Sequence, residues 1–100
     1  MTQSLQNTLI KKVEEELKYL IKNNNIEDYE DIEIYSTLDR EYLGCILTLT
    51  SGGPNIYIDT RNGFIEGNWN GAEYKKRLSN EIINQIDDQV DDLWNTNLVL

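Results

Sequence analysis

The 100-residue chain contains no histidine and one cysteine, and it carries half as many bases as acids. Without histidine it lacks the commonest general base and the commonest metal ligand. Cys45 has no partner for an internal disulfide and no histidine to activate it, so a buried, inert thiol is expected rather than thiol catalysis. No apolar run approaches 18 residues, so no membrane span is predicted. The opening residues, MTQSLQNTLIKKVEEELKYL, are too charged for a secretory core and too acidic for a transit peptide, which leaves the cytoplasm as the expected location. Ser36, Ser51 and Ser79 sit at turn or cap positions with no activating base. Ser51-Gly52-Gly53 lacks the GxxxxGK[ST] spacing of a phosphate loop.

Eighteen acids against nine bases give a net charge of −9 and a pI near 4.3. Such a chain repels nucleic acid and anionic membranes and attracts basic surfaces, so neither direct nucleic-acid nor membrane binding is expected. The acids are also unevenly spread. Residues 26–33, IEDYEDIE, hold five acids and no base, and between Asn23 and Thr60 the one base is Arg40.

The organising stretch is Cys45–Trp69. Leu43, Cys45, Leu47 and Leu49 alternate with Gly44, Ile46, Thr48 and Thr50, the period-two pattern of a strand with two different faces. Ser51-Gly52-Gly53-Pro54-Asn55 breaks this strand, and Ile56, Ile58 and Thr60 alternate in the next one up to Asn62-Gly63, a strong hairpin signal. A two-residue Asn62-Gly63 turn predicts Arg61 opposite Phe64, Asp59 opposite Glu66, Ile58 opposite Gly67 and Ile56 opposite Trp69. It places Ile56, Ile58, Ile65 and Trp69 on one face and Tyr57, Asp59, Phe64, Glu66 and Asn68 on the other. Asn70-Gly71 predicts a second hairpin into a strand over 72–78. Further strands are predicted at 31–38 and 41–50, joined by a turn at Asp39-Arg40.

Helices are predicted at both ends. Over 4–22, Leu5, Leu9, Val13, Leu17 and Leu20, with Ile10 and Ile21 beside them, form an apolar stripe behind Ser4 as N-cap. Glu14 and Lys18 are spaced to pair, and Asn23-Asn24-Asn25 ends the helix. Over about 80–95, capped by Ser79 or Asn80, Ile82, Ile83, Ile86, Val90, Leu93 and Trp94 fall within about 120° of arc. The tail 96–100 is read as a short strand or a frayed end. The expected architecture is a single α+β domain over 1–100, in two layers: an antiparallel sheet of four to five strands flanked by an N-terminal and a C-terminal helix.

No constellation for catalysis stands out. Asp59 and Glu66, opposite each other in the predicted hairpin, are the nearest thing to a general acid–base pair, with Arg61 available to pair them. Asp87, Asp88, Asp91 and Asp92 diverge by up to about 140° around a helix, too widely to converge on one ion. A non-enzymatic chain without cofactor or metal is therefore expected. Those four aspartates form like-charge i,i+4 pairs, each unfavourable by about 0.2–0.5 kcal/mol. Near a helix C-terminus they also oppose the dipole, by about 0.3–1 kcal/mol. Acids kept against local preference suggest a basic partner. The sheet face away from the helices is expected to expose Tyr57 and Phe64 beside Asp59, Glu66 and Asn68, as an interaction surface or a homodimer face.

The block LTLTSGGPNIYIDTRNGFIEGNWNGAEYKKRLSNEIINQIDDQVDDLW, about residues 43–94, resembles small proteins of phages and mobile elements in low-GC Gram-positive bacteria. They share a GGPN-type turn, an I-Y-I-D-T strand, a G-x-W/N-G hairpin and an acidic terminal helix. In size and charge the chain also resembles anti-CRISPR and anti-restriction proteins, several of which mimic DNA by presenting carboxylates to a nuclease's basic groove. The resemblance implies a stoichiometric inhibitor acting in the host cell cytoplasm on a CRISPR effector or other defence nuclease. The residues expected to meet it are Asp87, Asp88, Asp91 and Asp92, then Glu27, Asp28, Glu30 and Asp31, then Asp59 and Glu66, with Tyr57 and Phe64 as apolar anchors. A homodimer using the exposed sheet face, and an immunity-type inhibitor of a toxin, are the alternatives.

Overall fold

Alternating strands followed by stripe-bearing helices bury their apolar faces most economically as one sheet under a helical layer, and the computed structural model shows this arrangement. It describes residues 2–29 and 31–97. Helix α1 (Thr2–Asn23) leads through one turn of 3-10 helix (Ile26–Asp28) to strands β1 (Ile32–Ser36), β2 (Tyr42–Thr50), β3 (Asn55–Asp59), β4 (Phe64–Trp69) and β5 (Ala72–Arg77), then helix α2 (Asn80–Asn97). The strands form a single antiparallel sheet in sequence order. The expected strand or frayed end at 96–100 is helical as far as Asn97, and its last three residues lie outside the described ones. No helix among the described residues is long and apolar enough to cross a membrane.

The core forms where the two helical stripes meet the inward side of the sheet. Leu9, Val13, Leu17 and Leu20 of α1, and Ile86 and Val90 of α2, are buried with Cys45, Leu47, Leu49, Ile56, Ile58 and Ile65 of β2 to β4. Cys45 is free and fully buried, and burial pushes its thiol pKa up. α1 crosses β4 and β5, while α2 packs on β2 and on the 3-10 turn. Gly67 allows the first of these contacts: a Cβ built there would stand 2.6 Å from Val13 Cγ2 and 3.0 Å from Leu9 Cδ1.

The Asn70-Gly71 hairpin is a two-residue turn as predicted, with Trp69 opposite Ala72 and both turn residues at positive φ (48° and 90°). The β3–β4 hairpin is not. Asp59 pairs with Phe64, Ile58 with Ile65, Tyr57 with Glu66 and Ile56 with Gly67, so the loop spans Thr60–Gly63. Asp59 is the reason. Its Oδ1 accepts hydrogen bonds from the backbone N–H of Arg61 (3.0 Å) and Asn62 (3.1 Å), and its Oδ2 accepts one from Asn62 Nδ2 (2.8 Å). Its carbonyl accepts from Gly63 N–H (2.8 Å), and Gly63 takes the left-handed conformation at φ 81°. The register moves by an even step, so both predicted faces survive although every cross-strand partner changes.

Three local expectations are corrected. α1 begins upstream of Ser4, whose carbonyl accepts the Thr8 hydroxyl inside the helix, so Ser4 is not the cap. Glu14 turns from Lys18 to the sheet, where Lys76 (3.0 Å) and the Tyr74 hydroxyl (3.2 Å) reach it. Ile21, one residue past the stripe's last buried position, is exposed. The asparagine stop behaves as read, with Asn24 at φ 48° and its N–H on Leu20 carbonyl.

Gly67→Ala should destabilise by about 1–3 kcal/mol through overpacking against α1. Combining it with Val13→Ala, which vacates the space the new methyl enters, should cost less than the two single losses together. Urea midpoints of the four proteins measure this, and simple additivity would show that α1 does not seat on Gly67.

Candidate functional site

Acidic segments far apart in sequence are joined by uncharged side chains. Asn25 caps the 3-10 turn, its Oδ1 accepting from Glu27 N–H (3.1 Å), and Ile26 is buried as a plug. Gln89 of α2 accepts from Ile26 N–H (3.1 Å) and donates to Asn24 Oδ1 (2.9 Å). The turn is thereby fastened to α2, and Glu27, Asp28 and Asp31 stand exposed. Glu30, predicted with them, lies outside the described residues.

The rotation of α2 follows from its stripe. With Ile86 and Val90 turned into the core, Asp88 and Asp92 project to solvent while Asp87 and Asp91 are half-buried. Asp87 Oδ1 accepts a short hydrogen bond (2.6 Å) from the Tyr42 hydroxyl of β2. Burial, together with that bond, pushes the Tyr42 pKa far up. Asp91 accepts from Asn95 Nδ2 (3.2 Å). The four aspartates therefore do not form one acidic face. Asp87 is a structural acceptor, and Asp88 and Asp92 are the free charges.

Trp94, predicted in the buried stripe, instead donates its indole N–H to Arg40 carbonyl (2.8 Å) and lies under the Arg40 guanidinium (4.6 Å). The one base of the acidic region is thus held on an aromatic ring, and it forms no ion pair among the described residues. Between the 3-10 turn and α2 runs a groove of about 370 Å³, whose lining includes Ile26, Leu93, Glu27 and Asp92.

The open sheet face differs from the acidic, aromatic surface expected. Tyr57 and Phe64 are half-buried. The Tyr57 hydroxyl donates to Glu66 Oε2 (2.7 Å), and Lys75 Nζ stands 4.1 Å from the Phe64 ring centroid and 3.6 Å from Glu66 Oε1. Asp59, 9% exposed, caps its loop and does not oppose Glu66, so the predicted acid–base pair is not formed. Arg61 gives Asp59 its backbone N–H, while its guanidinium stacks on Tyr35 (5.0 Å). The Tyr57 hydroxyl, then Asn68 and Lys75, hold the Glu66 carboxyl below its ordinary range. The same bond, with burial, pushes the Tyr57 hydroxyl up to about 12.

Sequence reading passed over Gln89 and Tyr42. On a helical wheel Gln89 lies about 20° outside one edge of the apolar arc and Asp87 about 20° outside the other. A neutral amide at such an edge is the signal that was present for Gln89. For Tyr42 the sequence offered none, because its contact crosses from β2 to α2. Comparison with protein-family models, curated proteins and solved structures finds no match to this chain.

Two outcomes follow. Asp87→Ala strands the Tyr42 hydroxyl and should cost about 1–3 kcal/mol, while Asp87→Ala with Tyr42→Phe recovers much of that loss, read from thermal melts. Glu66 has a folded pKa below its unfolded value, so its contribution is present above the usual carboxylate range and is lost as pH falls through the folded pKa. The gap in urea midpoint between the parent and Glu66→Gln should be wide at pH 7 and close toward pH 3. A gap that persists at low pH would show that charge is not its origin.

Proposed function

We propose that the protein is a non-enzymatic inhibitor whose acidic side occupies the basic nucleic-acid groove of a host-defence nuclease, a CRISPR effector first among them. One observation carries this reading. Segments 24–41 and 80–97 together hold twelve acids and a single base, Arg40, whereas the remainder holds six acids and eight bases. Gln89, Tyr42 and Trp94 tie these two segments to each other and to β2, and the contact of α2 with the 3-10 turn brings Glu27 and Asp92 to one groove. Carboxylates concentrated there offer a basic groove what a phosphate backbone offers it. The phage or mobile-element origin implied by the resemblance, and the toxin-immunity alternative, share this electrostatic logic. The homodimer reading is less favoured, because Tyr57 and Phe64 are only part-exposed and Lys75 stands against both Glu66 and the Phe64 ring.

The test is competition. The protein should displace duplex DNA from a purified CRISPR effector ribonucleoprotein at low salt and fail progressively toward high salt, since attraction between exposed charges is screened over about 8 Å at physiological ionic strength. Glu27→Gln, Asp28→Asn, Asp88→Asn and Asp92→Asn together should abolish displacement without lowering the melting temperature. Asp87 is left intact because it supports Tyr42. Unchanged displacement by this variant, or none by the parent at low salt, overturns the proposal.

A further inference from the structure

The groove between the 3-10 turn and α2 defines the partner's chemistry more closely, and its assignment rests on the reading above. The apolar surface it offers is that of Leu93, which packs on the core, while Ile26 beside it is 1% exposed. Its neutral polar side chains are already engaged. Asn25 caps the turn, Gln89 bridges Asn24 and Ile26, and the Thr96 hydroxyl donates to Asp92 carbonyl (2.8 Å). The carboxylates of Glu27 and Asp92 are different: neither has a hydrogen-bond or ion-pair partner among the described residues. No lysine or arginine occurs anywhere in α2 to supply one.

An apolar surface and two unpaired carboxylates select among occupants. A purely apolar group would desolvate both charges without compensation, and an anion would be repelled. A divalent ion fits poorly, since no group of three acidic or sulfur ligands gathers among the described residues. A basic side chain matches both features, because its methylene stem covers Leu93 while its head meets the acids. Arginine matches better than lysine. Its planar guanidinium is weakly hydrated and carries donors in a fixed fork that can serve two carboxylates, whereas an ammonium is a strongly hydrated point charge.

We propose that this groove receives one arginine side chain from the basic partner, with Glu27 and Asp92 binding the guanidinium and Leu93 the stem. The full-length protein, labelled with ¹⁵N, is titrated with N-acetyl-arginine amide and, separately, N-acetyl-lysine amide. Saturable shifts should appear at the backbone signals of Ile26, Glu27 and Leu93 and at the Gln89 side-chain amide, with the lysine compound weaker. Glu27→Gln with Asp92→Asn should weaken arginine binding about tenfold, the loss expected for a charge-assisted hydrogen bond, while Glu15→Gln, at an exposed acid on α1, should change it less than twofold.

Linear shifts spread over all exposed acids, equal binding of the two amides, or an unaffected double variant overturns the groove assignment. The DNA-competition assay reads the broader proposal independently. Competition retained without a groove response removes only the arginine site, and a groove response without competition removes only the nuclease as its source.

Discussion

Burial of Ile86 and Val90 against the sheet fixes the rotation of α2, and that rotation decides what each acid of the helix can do. The two edges of the stripe carry polar residues of opposite use. At one edge Gln89 reaches the 3-10 turn, and at the other Asp87 reaches Tyr42 on β2. Asp88 and Asp92 are left on the outward side, where no base of the helix balances them. The acidic side is thus a consequence of core packing, held at one edge by a neutral amide and at the other by a tyrosine–aspartate hydrogen bond.

Magnitudes explain why so unfavourable a helix persists. Two like-charge i,i+4 pairs cost about 0.2–0.5 kcal/mol each and the dipole about 0.3–1 kcal/mol more. Burying an isoleucine or valine contributes about 1.5–3 kcal/mol, and α2 buries one of each completely. Packing therefore outweighs local repulsion without internal counter-ions. The opposite side of the molecule is arranged otherwise. There Lys76 meets Glu14 and Lys75 meets Glu66, so two of the acids have a lysine partner.

Periodicity made the architecture legible. The alternation in β2 and β3, the Asn70-Gly71 turn and the two helical stripes each correspond to an observed element, because burial on one face leaves a repeat that sequence records directly. The pairing of β3 with β4 was not legible. Asn62-Gly63 is an equally good signal for a two-residue turn, and only the capping of the loop by the Asp59 carboxylate selects the longer one. The acids of the candidate site could be named from composition, but their division into free and engaged charges could not. It depends on Tyr42, Gln89 and Asn95, whose partners are set by packing between elements or by the phase of a helix rather than by any local motif.

Net charge alone would make a uniformly acidic protein soluble and weakly attracted to any cation-rich surface. Segregation adds direction. Seven of the nine bases lie on α1 and β5, while α2, the 3-10 turn and the β1–β2 connection hold half of the eighteen acids and one base. A basic partner is then drawn to one side and repelled from the other, so encounter orients the molecule before contact is made. Free carboxylates bordering an apolar groove convert that orientation into a specific seat, because a long-range field cannot distinguish arginine from lysine but a confined, partly apolar site can. Steering by the field and discrimination by the groove are separable properties, and the fold supplies them from the same short turn and the same face of one helix.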